Sequence, residues 1–279
     1  MPLNPNQTLE LLNSLNHNPN KKLGQNFLID GNIVRKSIDL AELTPDSIVV
    51  EVGPGLGTLS EALLKEGLSL YAVEKDPTLY THLKNTIAKV HSKFDLVEAD
   101  CLKKPLGNLN SNTHKEFKIV ANLPYAVSTP WLEIVLFTAF PKCMVLMLQK
   151  EAADRYCAQP KTKAFGAISI FLQSAYTVRS THNVSANCFF PKPKIDSTLI
   201  CLDLKDDPIC FSREARAFIR RIFTQRRKQI QSLCKKDSYE GALEWLAFLK
   251  DQSFSENIRA EEITLSSWQK LGYKLHHEN

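Results

Sequence analysis

Between residues 30 and 150 the sequence alternates short apolar segments, rich in β-branched residues, with segments of helical periodicity. Segment 47–52 shows the strand pattern most clearly, because its valines and isoleucine follow one another in a nearly continuous run, as in strands covered on both faces. The predicted strands are 47–52, 68–73, 94–98, 117–121 and 143–148, and the predicted helices up to this point are 7–16, 30–42, 58–66, 77–90 and 129–140. This order predicts an α/β fold with a mostly parallel sheet covered by helices.

The pattern changes after residue 150. A helix is predicted at 150–157, and the apolar segment 167–174 fits either a helix or a strand. Two strand-like segments, 176–184 and 195–204, are separated by a proline-rich turn. Their close spacing predicts an antiparallel pair at the edge of the sheet.

Beyond the polar stretch 206–208 the chain contains only helical patterns. The predicted helices are 213–225, 227–234, 239–250 and 266–275. We therefore expect two domains, 1–205 with the sheet and 206–279 with helices alone.

Composition excludes several classes of protein. With 279 residues, 43% of them hydrophobic, the chain can bury a substantial core. Its seven cysteines are scattered without a C-x-x-C pair, so we expect reduced thiols in a cytoplasmic protein and no metal site. The N-terminal stretch lacks the apolar segment of a signal peptide, and no apolar run is long enough to span a membrane.

A glycine-rich loop, EVGPGLG at 51–57, follows the first predicted strand and opens a helix. Gly53 and Gly55 would let the backbone approach a ligand closely at the carboxyl edge of the sheet. Glu74 ends the next strand, where a carboxylate can bind a ribose diol, and Asp100 follows the third, where it can accept from an adenine amine. Either acid alone would be interpreted as a solvated residue at a strand end.

Two kinds of cofactor suit this arrangement, a nicotinamide dinucleotide and S-adenosyl-L-methionine. The spacing is G-P-G-L-G and not G-x-G-x-x-G, and Pro54 lacks an N–H that a pyrophosphate would need. S-adenosyl-L-methionine has no phosphate. The loop therefore favours a methyltransferase over a dehydrogenase.

The tetrapeptide Asn122-Leu123-Pro124-Tyr125 follows the fourth predicted strand. The Asn122 side-chain oxygen and the Leu123 carbonyl could accept both hydrogens of an exocyclic amine on a base. Pro124 has no competing N–H and restricts the backbone, and Tyr125 offers a ring for stacking. Taken alone, the tetrapeptide slightly favours an Asn-Pro turn with a half-buried tyrosine. The glycine loop upstream is what makes it a candidate site.

Positive charge is concentrated near the C-terminus. Segment 211–236 has nine basic residues and one acidic residue, a balance of +8, whereas the whole chain has +5. We predict phosphate contacts there, and RNA binding by Arg220, Arg221, Arg226, Arg227 and Lys228. Arg213, Arg216, Arg220 and Arg227 would share one helix face if the helix is unbroken. Lys21, Lys22, Lys192 and Lys194 could extend the basic track.

Five motifs together resemble the bacterial dimethyladenosine transferases of small-subunit (16S) ribosomal RNA. They are KLGQNFL at 22–28, EVGPGLG at 51–57, ANLPY at 121–125, FFPKPKIDS at 189–197 and QRRK at 225–228, and the resemblance extends from about residue 21 to about 266. It implies a Rossmann-like class I methyltransferase core that uses S-adenosyl-L-methionine, and a helical RNA-binding domain. It also implies N6,N6-dimethylation of two adjacent adenosines near the 3′ end of 16S rRNA during small-subunit biogenesis.

The resemblance assigns a role to each candidate residue. The cofactor would contact Asn26 and Leu28, pack against the loop at Gly53 and Gly55, and bind Glu74 with its ribose and Asp100 with its adenine. Asn122 would also bind the cofactor and lie between it and the target, and Tyr125 and Phe189 would flank the target adenine. With Leu123 and Pro124, the catalytic set is Asn122, Leu123, Pro124, Tyr125 and Phe189.

Alternative functions remain at this point. One is the related enzyme that dimethylates 23S rRNA and confers macrolide resistance, although Leu123 and the long helical tail favour the small-subunit enzyme. Another is an RNA-binding assembly factor without catalysis, which the intact loop and tetrapeptide disfavour. For the favoured enzyme we expect a monomer that binds the immature small subunit, without a membrane or a metal.

Overall fold

The computed structural model describes residues 3–20, 23–114 and 116–274. The helices are α1 Pro5–Ser14, α2 Gly31–Ala41, α3 Thr58–Lys65, α4 Pro77–Asn85, α5 Ile87–Val90, α6 Ser128–Thr138, α7 Lys150–Tyr156, α8 Ala167–Ala175, α9 Arg213–Thr224, α10 Ile230–Cys234, α11 Ala242–Asp251 and α12 Leu265–Gln269. The strands are β1 Phe27–Leu28, β2 Ile48–Val52, β3 Ser69–Glu74, β4 Phe94–Glu98, β5 Phe117–Asn122, β6 Cys143–Gln149, β7 Tyr176–Val184, β8 Phe189–Phe190, β9 Ser197–Leu204, β10 Ile209–Cys210 and β11 Tyr273–Lys274.

The main sheet has seven strands in the order β4-β3-β2-β5-β6-β9-β7. The five strands from β4 to β6 are parallel to one another, and β9 pairs with β6 in the antiparallel sense. The predicted fold class, a mostly parallel sheet with an antiparallel edge pair, is confirmed. Because parallel strands end at one edge, the loops after β2, β3, β4 and β5 come together there.

The central strands are apolar because the sheet is covered on both faces there, whereas the edge strands β4 and β7 are partly exposed. In β6, Met144 to Leu148 are all buried, and β2 is buried from Val49 onward. One core cluster joins strand residues such as Val49 and Val145 to the apolar face of α2 and α3, for example Val34 and Leu63. This packing fixes the strand ends and therefore the loops that extend from them.

Helix α4 begins with a side-chain cap from Asp76. Asp76 Oδ1 accepts from the backbone N–H groups of Thr78 at 3.0 Å and Leu79 at 3.3 Å. Pro77 follows at the first helical position, where the missing N–H costs nothing. The helix was expected to continue to residue 90, but it breaks at Thr86, which has φ −114° and ψ −82°. The short helix α5 follows, and its Ile87 packs directly against Gly57.

Two compact units are distinguished by their internal contacts. One comprises Met1–Ala153 with Val178–Asp203, and the other Asp154–Thr177 with Leu204–Asn279. In the second unit α8 is buried from Ile168 to Ala175, which resolves the ambiguous segment 167–174 as a helix. Segment 154–177 was expected in the first domain but groups with the C-terminal helices. The division at residue 205 into two domains stays a prediction.

Aromatic side chains form the centre of the second unit. Trp245 and Trp268 lie with ring centroids 4.6 Å apart, and Phe218 contacts Trp245 at 5.9 Å. Both tryptophans are buried and belong to the core of this unit. Helices α10 and α12 are shorter than the sequence pattern indicated, with five residues each. Among the described residues, no helix has the length and apolar character needed to cross a membrane.

Candidate active site

A cleft in the first unit opens at the carboxyl edge of the sheet, between the loops that follow β2, β3, β4 and β5. It encloses about 1060 Å³ of space, including its open mouth. The structure brings all predicted cofactor residues and the whole tetrapeptide to its wall: Asn26, Leu28, Gly53, Gly55, Glu74, Asp100, Asn122, Leu123, Pro124 and Tyr125. These residues come from five separate parts of the chain, so one site explains motifs that the sequence shows separately.

The glycine loop needs its glycines for two reasons. Gly53 and Gly55 have φ of +68° and +62°, a region that side chains disfavour. A Cβ at Gly53 would lie 3.1 Å from Pro124 Cγ, and one at Gly55 would lie 3.0 Å from the ring of Phe27. The loop therefore packs against the tetrapeptide on one side and the N-terminal segment on the other.

Glu74 lies at the base of the cleft with only 5% of its surface exposed. Its Oε2 accepts from the Gly55 N–H at 3.0 Å, and its Oε1 accepts from the N–H groups of Lys75 and Asp76 at 2.9 Å each. Burial raises the pKa of this carboxyl, while the three hydrogen bonds oppose the rise. The carboxylate is thus held in one orientation, with remaining lone pairs that can accept from hydroxyl groups.

Asp100 lies at the rim and is paired with Lys75, whose Nζ is 2.8 Å from Oδ2. Its Oδ1 accepts from the Leu102 N–H at 2.9 Å. The hydrogen bond from Lys75 lowers the pKa of Asp100, so the group is ionised at neutral pH. It is a pure acceptor there and suits an amine.

Glu51, in β2 beside the glycine loop, was not singled out from the sequence. It lines the cleft, is 2% exposed, and accepts a hydrogen bond from the Ser60 hydroxyl at 2.5 Å. Burial raises the pKa of Glu51 to about 8. The available signal was an acidic residue inside an otherwise apolar strand, directly before the loop.

The tetrapeptide is fixed by contacts with the N-terminal segment and β6. Asn122 Nδ2 donates to the Asn26 carbonyl at 3.1 Å, which leaves Asn122 Oδ1 as an acceptor. The Leu123 N–H donates to the Met147 carbonyl at 3.2 Å. Within the described part of the chain, no hydrogen bond ends on the Leu123 carbonyl. Two acceptors of adjacent residues are therefore available for one amine.

Tyr125 lines the cleft and is anchored through its hydroxyl, which lies 2.7 Å from Ser197 Oγ. Ser197 is fully buried at the start of β9, opposite Gln149 of β6. Burial raises the pKa of Tyr125, so the phenol stays neutral. In the sequence Ser197 is only the last residue of a motif. Its contact with Tyr125 depends on the pairing of β9 with β6, which the sequence does not show.

Phe189 is the one predicted catalytic residue that the structure does not place at the cleft. It is 2% exposed and lies in the core cluster that also contains Leu28 and Ile33. Strand β8 pairs with β1, which sets Phe189 opposite Leu28. Phe189 therefore supports the N-terminal segment from behind, and its stacking role stays a prediction.

The basic residues of the second unit separate into two groups. Arg226 donates to the carbonyls of Lys163 at 2.7 Å and Phe165 at 2.9 Å, so it fixes a loop within its own unit. Arg221 forms a two-pronged ion pair with Asp237, at 2.8 and 2.5 Å. These two side chains are engaged in the protein itself.

Exposed positive charge remains around the end of α9. Arg220 is exposed and its guanidinium lies 5.5 Å from the ring of Phe171. Lys228 donates to Gln225 Oε1 at 2.7 Å, and Arg227 is exposed. Helix α9 ends at Thr224, so the condition under which Arg227 would share its basic face, an unbroken helix, is not met. Lys192 and Lys194 are exposed in the first unit, whereas Lys21 and Lys22 lie outside the described residues.

One cysteine cluster has the composition of a metal site. The ligand atoms of Cys143, Cys201 and Asp203 lie within 4.8 Å of one another. Arg179 already supplies a cation there, since its Nη2 is 3.0 Å from Cys201 Sγ and its Nε is 3.0 Å from Asp203. Cys143 begins β6, at the opposite end of the strand from the residue beside Asn122. The cluster is therefore separate from the cleft, and the absence of a metal from this protein stays a prediction.

Comparison with known proteins identifies similar sequences over almost the full chain. The family model described as ribosomal RNA adenine dimethylase matches residues 16–269. A ribosomal RNA small subunit methyltransferase A from Opitutus terrae is 51% identical over 272 residues, covering 97% of this chain and 98% of the relative. The protein of the same name from Chlamydia felis is 37% identical, covering 96% and 93%.

Solved structures agree in fold. A dimethyladenosine transferase from Plasmodium falciparum has a TM-score of 0.68 at 22% identity, covering 88% of this chain and 95% of the other. The 23S rRNA methyltransferase ErmE has a TM-score of 0.66 at 22% identity, covering 88% and 98%. At these identities the likeness concerns the fold alone.

Proposed function

This chain belongs to the ribosomal RNA adenine dimethylase family, and we propose that it transfers methyl groups from S-adenosyl-L-methionine to N6 of two adjacent adenosines near the 3′ end of 16S rRNA, dimethylating each. The observation that carries the proposal is one cleft that joins the glycine loop, Glu74 and Asp100 to the acceptors of Asn122 and Leu123. The first three suit a nucleoside, and the last two suit an amine.

The small subunit is favoured over the large subunit as substrate. The relatives at 51% and 37% identity are both small-subunit methyltransferases, whereas the 23S enzyme ErmE shares 22% identity. We further propose that the protein acts as a monomer on immature small subunits in the cytoplasm.

The cleft fits a cofactor without phosphate. Pro54 has no N–H, and the N–H of Gly55 already donates to Glu74 at 3.0 Å. A pyrophosphate would find neither donor, so a dinucleotide is disfavoured. The carboxylate of Glu74 would accept from the ribose hydroxyls and that of Asp100 from the adenine amine, while Asn26, Leu28, Gly53 and Gly55 provide the surrounding wall.

When bound, the sulfonium of the donor would supply an electrophilic methyl group. What the protein must then provide is a target amine that can act as the nucleophile. The amine of adenine is planar because its lone pair is delocalised into the ring. Asn122 Oδ1 and the Leu123 carbonyl would accept its two hydrogens, which favours a pyramidal nitrogen and stabilises its developing positive charge. The Asn26 carbonyl keeps the Asn122 amide in the orientation that this requires. No general base is assigned, because the alkylated nitrogen is itself acidic.

The target adenine must leave its helix to reach the cleft, and stacking on an aromatic ring offsets that cost by about 1–3 kcal/mol. Tyr125 is positioned for this by its hydroxyl contact with Ser197. Phe189 would become the second flank only by leaving the core, so Tyr125 is the main platform in this proposal.

RNA binding is proposed for three of the exposed basic residues around the end of α9, Arg220, Arg227 and Lys228. Their long side chains reach phosphates without desolvation of the core. Arg221 and Arg226 would contribute mainly by fixing the local structure, because their guanidinium groups already bind Asp237 and the carbonyls of 163 and 165.

The test is methyl incorporation from labelled S-adenosyl-L-methionine into immature small subunits, followed by mapping of the modified bases. We expect label on two adjacent adenosines near the 3′ end of 16S rRNA, incorporated on the order of 100-fold more slowly with Asn122→Ala. Large subunits, included in parallel, would carry the label if the substrate were 23S rRNA. Tight binding to small subunits without methylation would instead support the assembly factor.

A further inference from the structure

Beside the cleft lies a hydrogen-bonded network that methyl transfer itself does not explain. It consists of His17, Gln25 and Asp76, which come from two distant parts of the sequence. Gln25 lines the cleft, within the stretch 23–28 that forms one of its walls, and the side chain of His17 is 7% exposed. A partly buried polar network of this kind orients the groups that it joins.

The geometry determines the orientation of the Gln25 amide. The backbone N–H of Asn20 donates to Gln25 Oε1 at 2.7 Å. Since a backbone N–H can only donate, this atom is the oxygen, and the amide nitrogen faces Asp76 Oδ2 at 3.0 Å. His17 Nε2 lies 3.0 Å from the same Oε1 and must therefore carry the hydrogen.

Asp76 connects the network to the base of the cleft. Its Oδ1 caps α4, and its N–H donates to Glu74 Oε1 at 2.9 Å. Glu74 in turn accepts from Gly55 of the glycine loop. The bonds are thus continuous from His17 to the carboxylate that is proposed to bind the ribose.

An apolar cluster fixes the position of His17. Leu12 of α1 packs with Phe27, Leu56 and Leu79, which belong to the wall, the loop and α4. The His17 N–H donates to the Leu12 carbonyl at 2.9 Å. The backbone of His17 is therefore held at a fixed place relative to the wall. From there the imidazole ring hydrogen-bonds to Gln25 and orients its side chain.

We propose that His17 is a positioning residue for the methyl donor, which keeps Gln25 and the wall at 23–28 closed over the cofactor. The inference rests on the proposed function, because the donor must occupy this cleft. His17 does not contact the donor itself. Its removal should therefore weaken donor binding, and chemistry at saturating donor should continue.

The experiment compares His17→Ala with wild type in the full-length protein. Equilibrium binding of labelled S-adenosyl-L-methionine and methyl incorporation into immature small subunits are measured together. We expect the donor Kd and KM to rise about tenfold, with kcat retained, since the variant loses the partly buried hydrogen bond that orients Gln25 in the wall of the cleft. His182→Ala, an exposed position on β7, is the matched control and should change neither quantity.

Two further variants separate positioning from packing. His17→Gln keeps an N–H donor and should recover most of the affinity, whereas His17→Leu keeps volume without a donor and should not. His17→Leu also replaces His17→Ala if the latter does not fold. In a double variant with Gln25→Leu, His17→Ala should add no further loss, because it acts through Gln25.

The outcomes distinguish a failure of the proposed function from a failure of the proposed role of His17. If wild-type protein binds no S-adenosyl-L-methionine, the proposed function fails. If wild type binds it and His17→Leu binds it equally well, or if His17→Gln is as weak as His17→Leu, the proposed function stands and the role of His17 is overturned.

Discussion

The side-chain amide of Asn122 donates to the backbone carbonyl of Asn26 at 3.1 Å, across 96 residues of sequence. The bond joins the segment that forms the cofactor wall to the segment that would receive the target base. It also decides which atom of Asn122 is left to accept. In the proposed site, a residue of the cofactor wall would thereby orient the residue that accepts from the target amine.

Asn122→Ala removes one of the two acceptors for the amine, and we expect methyl transfer to fall on the order of 100-fold. Donor binding should change little, because Glu74 and Asp100 remain. Methyl incorporation and donor Kd, measured side by side, check this. The exposed Asn112→Ala serves as control. Full activity in Asn122→Ala would remove the basis of the mechanism.

Tyr125 and Ser197 form a pair that a double-mutant cycle can resolve. Ser197→Ala frees the Tyr125 hydroxyl, and Tyr125→Phe removes it while keeping the ring. Either change should raise the KM for the RNA substrate by a factor of about 3–10, from the loss of one hydrogen bond. The double variant should cost no more than the worse single one. Additive losses would mean that the two residues act separately.

The sequence predicted the strands and helices better than the long-range contacts that these elements make. Strands β2 and β5 were predictable because short apolar runs with adjacent β-branched residues mark strands buried on both faces. The break at Thr86 was not, because it accompanies the packing of Ile87 on Gly57. Helix α8 was ambiguous, because it is buried on all sides and shows no periodicity.

In the candidate site, too, local motifs were predictable and long-range contacts were not. The glycine loop, Glu74, Asp100 and the tetrapeptide were predicted at one cleft, because each lies at the end of a strand and parallel strands end together. The burial of Phe189 and the internal contacts of Arg226 depend on pairing with Leu28 and with segment 163–165, which no local pattern reveals. Ser197 was missed for the same reason, whereas Glu51 had a local signal, an acidic residue inside an otherwise apolar strand.

Arg226 and Arg227 are neighbours in sequence, but we expect replacement of the first to affect stability and replacement of the second to affect RNA binding. Arg226→Ala should lower the free energy of unfolding by about 1–3 kcal/mol, because it leaves two backbone carbonyls without their donor. Arg227→Ala should leave stability unchanged and weaken RNA binding.

Thermal unfolding and RNA titrations at several salt concentrations distinguish the two. For Arg227→Ala the slope of log K against log salt should decrease by about 0.7–0.9, one phosphate contact. A wild-type affinity that does not respond to salt would contradict phosphate binding altogether. Equal effects of both variants on stability would contradict the separation of roles.

Glu51 should make the stability of the protein depend on pH. Its carboxyl ionises at the ordinary value of 4.5 when unfolded and at about 8 when folded, because burial disfavours the charge. Between these values the folded state binds more protons, so the free energy of unfolding falls as pH rises, by on the order of 1 kcal/mol per pH unit. The contribution is complete below pH 4.5 and is lost near pH 8.

Glu51→Gln provides the matched comparison, since an amide keeps a polar partner for Ser60 and cannot ionise. Thermal unfolding of both proteins from pH 5 to 8 should show a smaller decline for Glu51→Gln, and the variant should be the more stable of the two at pH 8. Some decline should persist, because burial also raises the pKa of Glu74. Parallel stability curves for the two proteins would show that Glu51 is ionised in the fold, and that the cleft is wetter than its burial implies.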